Sequence, residues 1–196
     1  MLILASQSPR RSQLLQNAGI PFIVQPADID ETLLPDEAPG AYVCRLAREK
    51  ALAILDSAAA GSVVLGADTT VVVDGESLGK PADAADARRM LQMLGGREHQ
   101  VMTGVCLAWK NRQGVCETLV ECEVTGVEFL PMTEEEIAAY IATGEPMDKA
   151  GAYGIQGRAS RWIPRVNGCY FNIVGLPVAR VGQMLATAAR RGAPLS

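Results

Sequence analysis

Histidine is nearly absent from this chain: there is one, His99, among 196 residues. A multi-histidine metal centre is thereby excluded. A Ser-His-Asp triad would have His99 alone to draw on, in an alternating stretch that reads as a strand. Cysteine is sparse as well. The five (Cys44, Cys106, Cys116, Cys122 and Cys169) are odd in number and scattered, without a C-x-x-C pair. That excludes a disulfide framework and a structural zinc site, and predicts thiols that act as small buried hydrophobes in a reducing compartment. Cations are not in excess: 18 basic side chains stand against 22 acidic ones. Duplex DNA, which binds by releasing counterions to protein cations, is therefore not expected as a partner. A small anion held by a few local cations remains allowed. No uncharged run reaches the ~18 residues a membrane span needs. The apolar stretch Met1–Ala5 is short and its arginines follow it, the wrong layout for a signal peptide. A cytoplasmic protein is expected, with neither nucleic acid nor membrane as partner.

What is present is an ordinary globular mixture, 48% apolar and 20% charged, which excludes a disordered, collagen-like or coiled-coil chain. At ~150 residues per domain the length predicts a single domain over 1–196. Leu2–Ala5 reads as a buried strand, and Pro9 opens a helix that Gly19 closes. Phe22–Gln25 reads as a strand. A helical pattern runs from Gly40 to about Ala59, where Gly61 ends it. Ser62–Ala67 and Thr69–Val73 are rich in β-formers, with Asp74-Gly75 as a turn. Asp83–Leu94 is helical, and 98–109 and 115–129 alternate as a long hairpin. Thr133-Glu-Glu-Glu136 is a capping box. The stretches 161–166 and 169–174 read as short strands, and Pro177 starts a final helix. Helices and strands alternate at both ends, which predicts an α/β fold with a mixed, twisted sheet.

Three places carry chemistry. Ser6-Gln-Ser-Pro-Arg-Arg11 lies at a strand-to-helix junction, where free N–H groups, two hydroxyls and two guanidiniums suit an anion such as a polyphosphate. It equally fits an ordinary capped helix, and is neither a Walker A loop nor a G-x-G-x-x-G turn. Asp68 interrupts an apolar segment from Val63 to Val73. A carboxylate there must be paired, protonated or bound to a metal, unless it simply turns the chain between two strands. The lysines Lys50, Lys80 and Lys149 and the loop acids Asp30, Glu31 and Asp148 are individually ordinary surface charges. The acids would also suit a divalent cation bound through oxygen. Trp109 and Trp162 read as structural.

The motifs Ser6-x-Ser-Pro-Arg-Arg11, Asp30-Glu-Thr32, Arg45-Leu-Ala-x-Glu-Lys50, Gly66-Ala-Asp-Thr69, Gly79-Lys-Pro81, Gly144-Glu-Pro, Asp148-Lys-Ala-Gly-x-Tyr-Gly-Ile-Gln-Gly157 and Val174-Gly-Leu-Pro177 occur in one order. Together they closely resemble the Maf family of nucleoside triphosphate pyrophosphatases, over roughly residues 2 to 190. The resemblance implies an elongated mixed α/β sheet flanked by helices, with two lobes and a central groove, akin to inosine triphosphate pyrophosphatases. It implies hydrolysis between the α- and β-phosphates with a divalent metal, magnesium or manganese, and a homodimer. Ser-Pro-Arg-Arg, Gly-Ala-Asp-Thr and Ile-Gln-Gly match members that act on dTTP and UTP. Arg10, Thr69 and Gln156 therefore stand where the 7-methyl-GTP type has Trp, Gln and Glu. Modified pyrimidine nucleotides are a further candidate substrate class.

The roles that follow are expectations. Asp68 is the general base, or chiefly a metal ligand, with Glu31 helping to hold the metal. Arg11, Lys50 and Lys80 take the triphosphate, and Ser6 and Ser8 hydrogen-bond phosphate. Arg10, Thr69 and Gln156 choose the base, because a glutamine amide can accept from N3–H and donate to a carbonyl of uracil or thymine. The alternative is a nucleotide-binding regulator of septum formation whose catalysis is incidental. The stretch Arg158-Ala-Ser-Arg-Trp-Ile-Pro164 is bulkier and more basic than the glycine-containing loop of the family.

Overall fold

A computed structural model of the chain describes residues 1–195; Ser196, the last residue of the expected domain, lies outside them. The strands are β1 (Leu2–Leu4), β2 (Ile23–Val24), β3 (Val63–Val73), β4 (Glu76–Leu78), β5 (Glu98–Lys110), β6 (Cys116–Glu128) and β7 (Arg165–Asn167). The helices are α1 (Pro9–Asn17), α2 (Pro39–Leu55), α3 (Ala84–Leu94), α4 (Glu134–Ile141), α5 (Tyr170–Val174) and α6 (Val178–Arg190). The seven strands form a sheet in the order β2-β1-β3-β5-β6-β7, with β4 paired to β3. It is mixed: β1 runs parallel to β2 (Ile3↔Ile23) and β3 (Ile3↔Val64), whereas β3–β4 and β6–β7 are antiparallel.

The chain divides into two compact units. One comprises Met1–Asp68, Thr103–Glu123 and the stretch from Gly175; the other comprises Thr69–Met102 and Val124–Val174. Both division points of the second unit's first segment, and the start of its other segment, fall inside strands: β3, β5 and β6 each supply residues to both units.

In the first unit, α2 lies unusually close to the sheet. A Cβ on Gly66 of β3 would run into the carbonyl oxygen of Ala47 and come within 2.9 Å of the Ala51 nitrogen. One on Gly104 of β5 would strike the Val43 carbonyl and come within 2.6 Å of the Cys44 nitrogen. Val43, Ala47 and Ala51 recur every four residues and so share one helix face, and all three are fully buried. Small residues on both sides let two backbones approach, and Ile3, Ala5, Ile54, Leu55, Val64, Cys106 and Ala108 complete the packing. This contact fixes where the rest of α2 lies over β3.

In the second unit, α3 and α4 close over a separate core of Val71, Leu78, Leu91, Leu94, Phe129, Ile137, Tyr140 and Trp162. Asp83 caps α3 by accepting from the Asp86 amide. The capping box forms as expected, Thr133 with Glu136. The β3–β4 turn uses Asp74 and Gly75, both at positive φ (53° and 82°), the backbone a two-residue hairpin demands.

Four expectations are corrected. The stretch expected as two strands around a turn aspartate is one strand, Val63–Val73, with Asp68 in its middle. The expected strand 169–174 is instead the short helix α5 from Tyr170, because Asn172 is buried and donates to the Val101 carbonyl and the Thr125 hydroxyl, a long-range anchor that outweighs the β-prone Tyr, Phe, Ile and Val around it. The helix expected to reach Ala59 stops at Leu55, where the Ser57 backbone and hydroxyl both donate to the Ile54 carbonyl. Residues 161–163 are likewise not strand: Arg158–Trp162 is a 3₁₀ turn, and β7 begins at Arg165.

Candidate active site

Asp68 is 9% exposed and Lys50 7%. The Lys50 Nζ lies 2.6 Å from Asp68 Oδ1 and 2.6 Å from Glu31 Oε1. An ammonium thus joins the carboxylate of β3 to that of the acidic loop, and the two carboxylate oxygens are no farther apart than those two contacts laid end to end. Burial makes the pairing obligatory: removing one partner of such a pair costs about 3–5 kcal/mol because it strands the other charge. Lys50 can reach Asp68 because the glycine contacts above bring α2 down onto β3.

Arg11 lies in the first turn of α1 and is 9% exposed. Its Nε donates to the Gly175 carbonyl at 2.9 Å and a terminal nitrogen donates to Ser6 Oγ at 3.0 Å. Burial draws the guanidinium below its usual pKa, and Asp68 and Glu31 act against that shift, while Arg10 adds to it. A guanidinium remains charged under any of these influences. Ser6 also accepts from the Ser8 amide at 3.2 Å, so its hydroxyl, rather than that of Ser8, stands at the helix entrance. Ser8 is the N-cap residue, without a side-chain cap bond. Ser6, Arg11, Glu31, Lys50 and Asp68 are thus linked by contacts or charge within the first unit. Arg10, half-buried, is electrostatically coupled to Arg11.

The loop that carries Glu31 is held by Arg45, which a sequence motif named, and by Glu37 and Tyr42, which none did. Arg45 of α2 grips Glu37 through two bonds of 2.7 Å and donates to the Thr32 carbonyl at 3.0 Å. Tyr42 donates to the Glu31 carbonyl at 2.9 Å. Asp30, expected among possible cation ligands, instead accepts from the Thr32 amide and hydroxyl and shapes the loop. The sequence signal for this brace was the Arg45-Leu-Ala-x-Glu-Lys50 motif.

Thr69, Lys80 and Gln156 belong to the second unit. Thr69 is half-buried next to Asp68 along β3, while Lys80 and Gln156 are exposed. The Lys80 loop is tied to the segment before Gln156 by a backbone bond, Gly151 N to Gly79 O at 3.0 Å. Asp148 and Lys149 pair with each other at 2.5 Å, so neither is an independent site. Trp109 and Trp162 are buried, as expected. Of the cysteines Cys106 is buried; Cys44, Cys122 and Cys169 are half-buried and Cys116 is exposed, so burial holds for one of the five. His99 is buried, with Nε2 bonded to the Tyr153 hydroxyl at 2.8 Å and Nδ1 without a partner, which is not a triad.

Among the described residues no group of three or more His, Cys, Asp or Glu is arranged so that it could hold a metal ion. Asp68 and Glu31 nevertheless suit magnesium or manganese, which commonly take one or two protein carboxylates and leave the remaining positions to phosphate and water. That both oxygens already converge on one cation, the Lys50 ammonium, shows that they can share a positive charge.

An α/β sheet presenting a buried carboxylate, an ammonium and a buried guanidinium within one unit defines a protein equipped to handle phosphate. The chain belongs to the Maf-like protein family, whose profile matches residues 1–188. It is 53% identical over 187 residues to the dTTP/UTP pyrophosphatase of Koribacter versatilis (strain Ellin345), covering 95% of this chain and 94% of the relative. It is 54% identical over 184 residues to the dTTP/UTP pyrophosphatase of Symbiobacterium thermophilum, covering 94% and 92%. Among solved structures, the Staphylococcus aureus Ham1 protein is similar at a TM-score of 0.49 and 15% identity, covering 95% of this chain and 98% of that one. That likeness is too loose to carry an argument, and the α/β assignment rests on the sheet itself.

Proposed function

We propose that this chain is a nucleoside triphosphate pyrophosphatase that hydrolyses dTTP and UTP to the nucleoside monophosphate and pyrophosphate. Relatives about half identical over nearly the full length carry that name. The observation within the chain that supports it most is the buried Lys50–Asp68 pair. The Lys50 ammonium holds one oxygen of the Asp68 carboxylate at 2.6 Å and so fixes the group in place to act as a base. Lys50 occupies Oδ1, which leaves Oδ2 to take the proton of the attacking water as oxygen bonds to phosphorus and the α–β anhydride bond breaks. The pyrophosphate departs with the anhydride's electron pair. Arg11, already oriented by Ser6 and Gly175, and Lys50 neutralise charge on the phosphates without reorganising. Ser6 and Ser8 hydrogen-bond phosphate oxygens.

Asp68 and Glu31 would hold the divalent cation, which when bound supplies charge neutralisation at the phosphates. Lys80 as a further triphosphate cation, and Arg10, Thr69 and Gln156 as the base-choosing residues, rest on the family resemblance, as does a homodimer. A cytoplasmic location rests on the free cysteines. Modified pyrimidine nucleotides extend the same substrate class. Among the described residues no helix is long and apolar enough to cross a membrane.

The test is pyrophosphate release from dTTP and UTP with magnesium or manganese at saturation. The Asp68→Asn variant, which keeps the shape but not the base, is expected to lose at least about 100-fold in kcat. Near-full turnover in that variant would refute the role given to Asp68. Tight nucleotide binding by the wild type with no pyrophosphate release would refute the enzyme.

A further inference from the structure

Gln156 sits in a turn whose two ends converge on a single carboxylate. The Glu145 Oε1 accepts the Tyr140 hydroxyl at 2.9 Å. Both of its oxygens accept the Arg158 amide, each at 3.1 Å. The Tyr140 oxygen in turn accepts the Gly154 amide at 3.3 Å. The chain from Gly154 to Arg158 is therefore pinned at its first residue through Tyr140 and at its last by Glu145, and a Gly157 N to Gly154 O bond of 3.0 Å closes it. Glycine at 157 is required for this approach: a Cβ there would lie 2.7 Å from Glu145 Oε2 and collide with the rest of the carboxylate. A Cβ at Gly154 would come within 2.7 Å of the Lys149 Cε, whose ammonium is bonded to the Glu145 carbonyl at 2.7 Å.

The support beneath the clamp is rigid. Tyr140 is 2% exposed and packs edge-on against Trp162, ring centroids 5.5 Å apart. Trp162 belongs to the bulky stretch after Gly157 and packs against Tyr140. Burial, and then the bond to Glu145, push the Tyr140 hydroxyl pKa upward, which keeps it protonated as a donor.

We infer that Glu145 is a positioning residue for base selection: with Tyr140 it fixes the backbone on both sides of Gln156, and so the place from which that amide is presented. The inference rests on the reading of Gln156 as the residue that recognises the pyrimidine edge. It adds a residue that touches no substrate. A hydrogen bond from one amide cannot tell pyrimidine from purine unless its origin is fixed, because a flexible amide would follow either edge.

The experiment compares wild type, Glu145→Ala, Glu145→Gln and Tyr140→Phe in two measurements. The first is hydrogen exchange of the amides over residues 154–158; the second is kcat and KM for UTP and for GTP. Glu145→Ala is expected to speed exchange at Gly154 and Arg158 by at least about tenfold, the factor that a lost bond of about 1.4 kcal/mol gives. It should raise the KM for UTP about tenfold while leaving kcat nearly unchanged and GTP unaffected, so that the UTP preference narrows by the same factor. Glu145→Gln, whose carbonyl still accepts from Arg158, is expected to restore most of both readouts. Should Glu145→Ala fail to fold, Tyr140→Phe keeps the buried ring and is expected to move both in the same direction. Unchanged exchange would overturn the clamp. Faster exchange with an unaltered UTP:GTP ratio, or a parallel fall for both nucleotides, would overturn its link to base choice. A wild type with no preference for UTP would refute the proposed substrate reading, while the exchange data would still decide the clamp.

Discussion

His99 packs between Phe129 and Tyr153, with ring centroids 5.3 and 5.4 Å away, and is 2% exposed. One nitrogen has a partner and the other has none, so a second proton on this ring would be an unpaired charge in an apolar cluster. Burial accordingly holds its pKa down to about 4. The unfolded chain takes up that proton near pH 6.5, whereas the folded chain resists until about pH 4. Between those values the unfolded state binds more protons, so His99 stabilises the fold above pH 6.5 and that contribution disappears as the pH falls toward 4. Urea unfolding should show the wild type losing about 3 kcal/mol more than His99→Gln between pH 7 and pH 4. Equal losses would contradict the sealed, neutral histidine. At this scale the sequence was a partial guide. Asp68 was legible because a carboxylate in an apolar run must be compensated, but the contacts of Tyr42, Arg45, Glu37, Tyr140 and Glu145 were not, although motifs named Arg45 and Glu145. Their partners lie 5 to 13 residues away or act on backbone atoms, and no side-chain period records such bonds.

Helix α2 makes the same point for elements. Its apolar period was plain in the sequence, but not how low it sits, which depends on two glycines in different strands. The neighbours of a Cβ at Gly66 or Gly104 are main-chain atoms of α2, which cannot swing aside as a side chain can. Alanine at either position must lift the helix, at a cost of about 1–3 kcal/mol or more. For a chain of this length that lowers the Tm by about 5 °C. Because Lys50 rides on α2, Gly66→Ala should also weaken pyrophosphate release. Gly182 in α6 has nothing within 4 Å of its Cβ position, so Gly182→Ala should be neutral or gain up to ~1 kcal/mol from helix propensity. Calorimetry on the three variants checks the ordering. If Gly66→Ala and Gly104→Ala melt like Gly182→Ala, the close approach is not what holds α2. Elements whose boundaries depend on neighbouring residues, the capping box and the Asp-Gly turn among them, were readable in advance. Helix α5 was not, because its anchor Asn172 binds residues 47 and 71 positions away.

For the molecule as a whole, composition and alternation predicted an α/β protein with a mixed sheet, which the strands form. The family resemblance implied two lobes, but composition and periodicity marked no boundary between the two units, because no linker separates them: the chain passes from one to the other inside β3, β5 and β6, where strand residues look alike on both sides. The first unit is assembled from three separate segments, and its last begins at Gly175. That segment supplies the carbonyl that orients Arg11, 164 residues away in sequence, and Arg180, whose guanidinium binds Glu121 at 2.8 Å and Glu123 at 2.9 Å. A chain ended after Val174 should therefore release no pyrophosphate from dTTP or UTP even where it remains in solution. Turnover by such a truncation would show that Arg11 needs no help from the C-terminal segment.

On the ribosome this arrangement runs against the order of synthesis. Strand β1 is made before its parallel partner β3, which begins only at Val63, and the carbonyl for Arg11 follows only at Gly175. The second unit has been translated in full by Val174, at a time when the first still lacks α6. A half-made chain therefore carries the arginine, the lysine and the aspartate without the contact that sets the arginine in place. A chain stopped before Gly175 is therefore expected to release no pyrophosphate until that segment has been added.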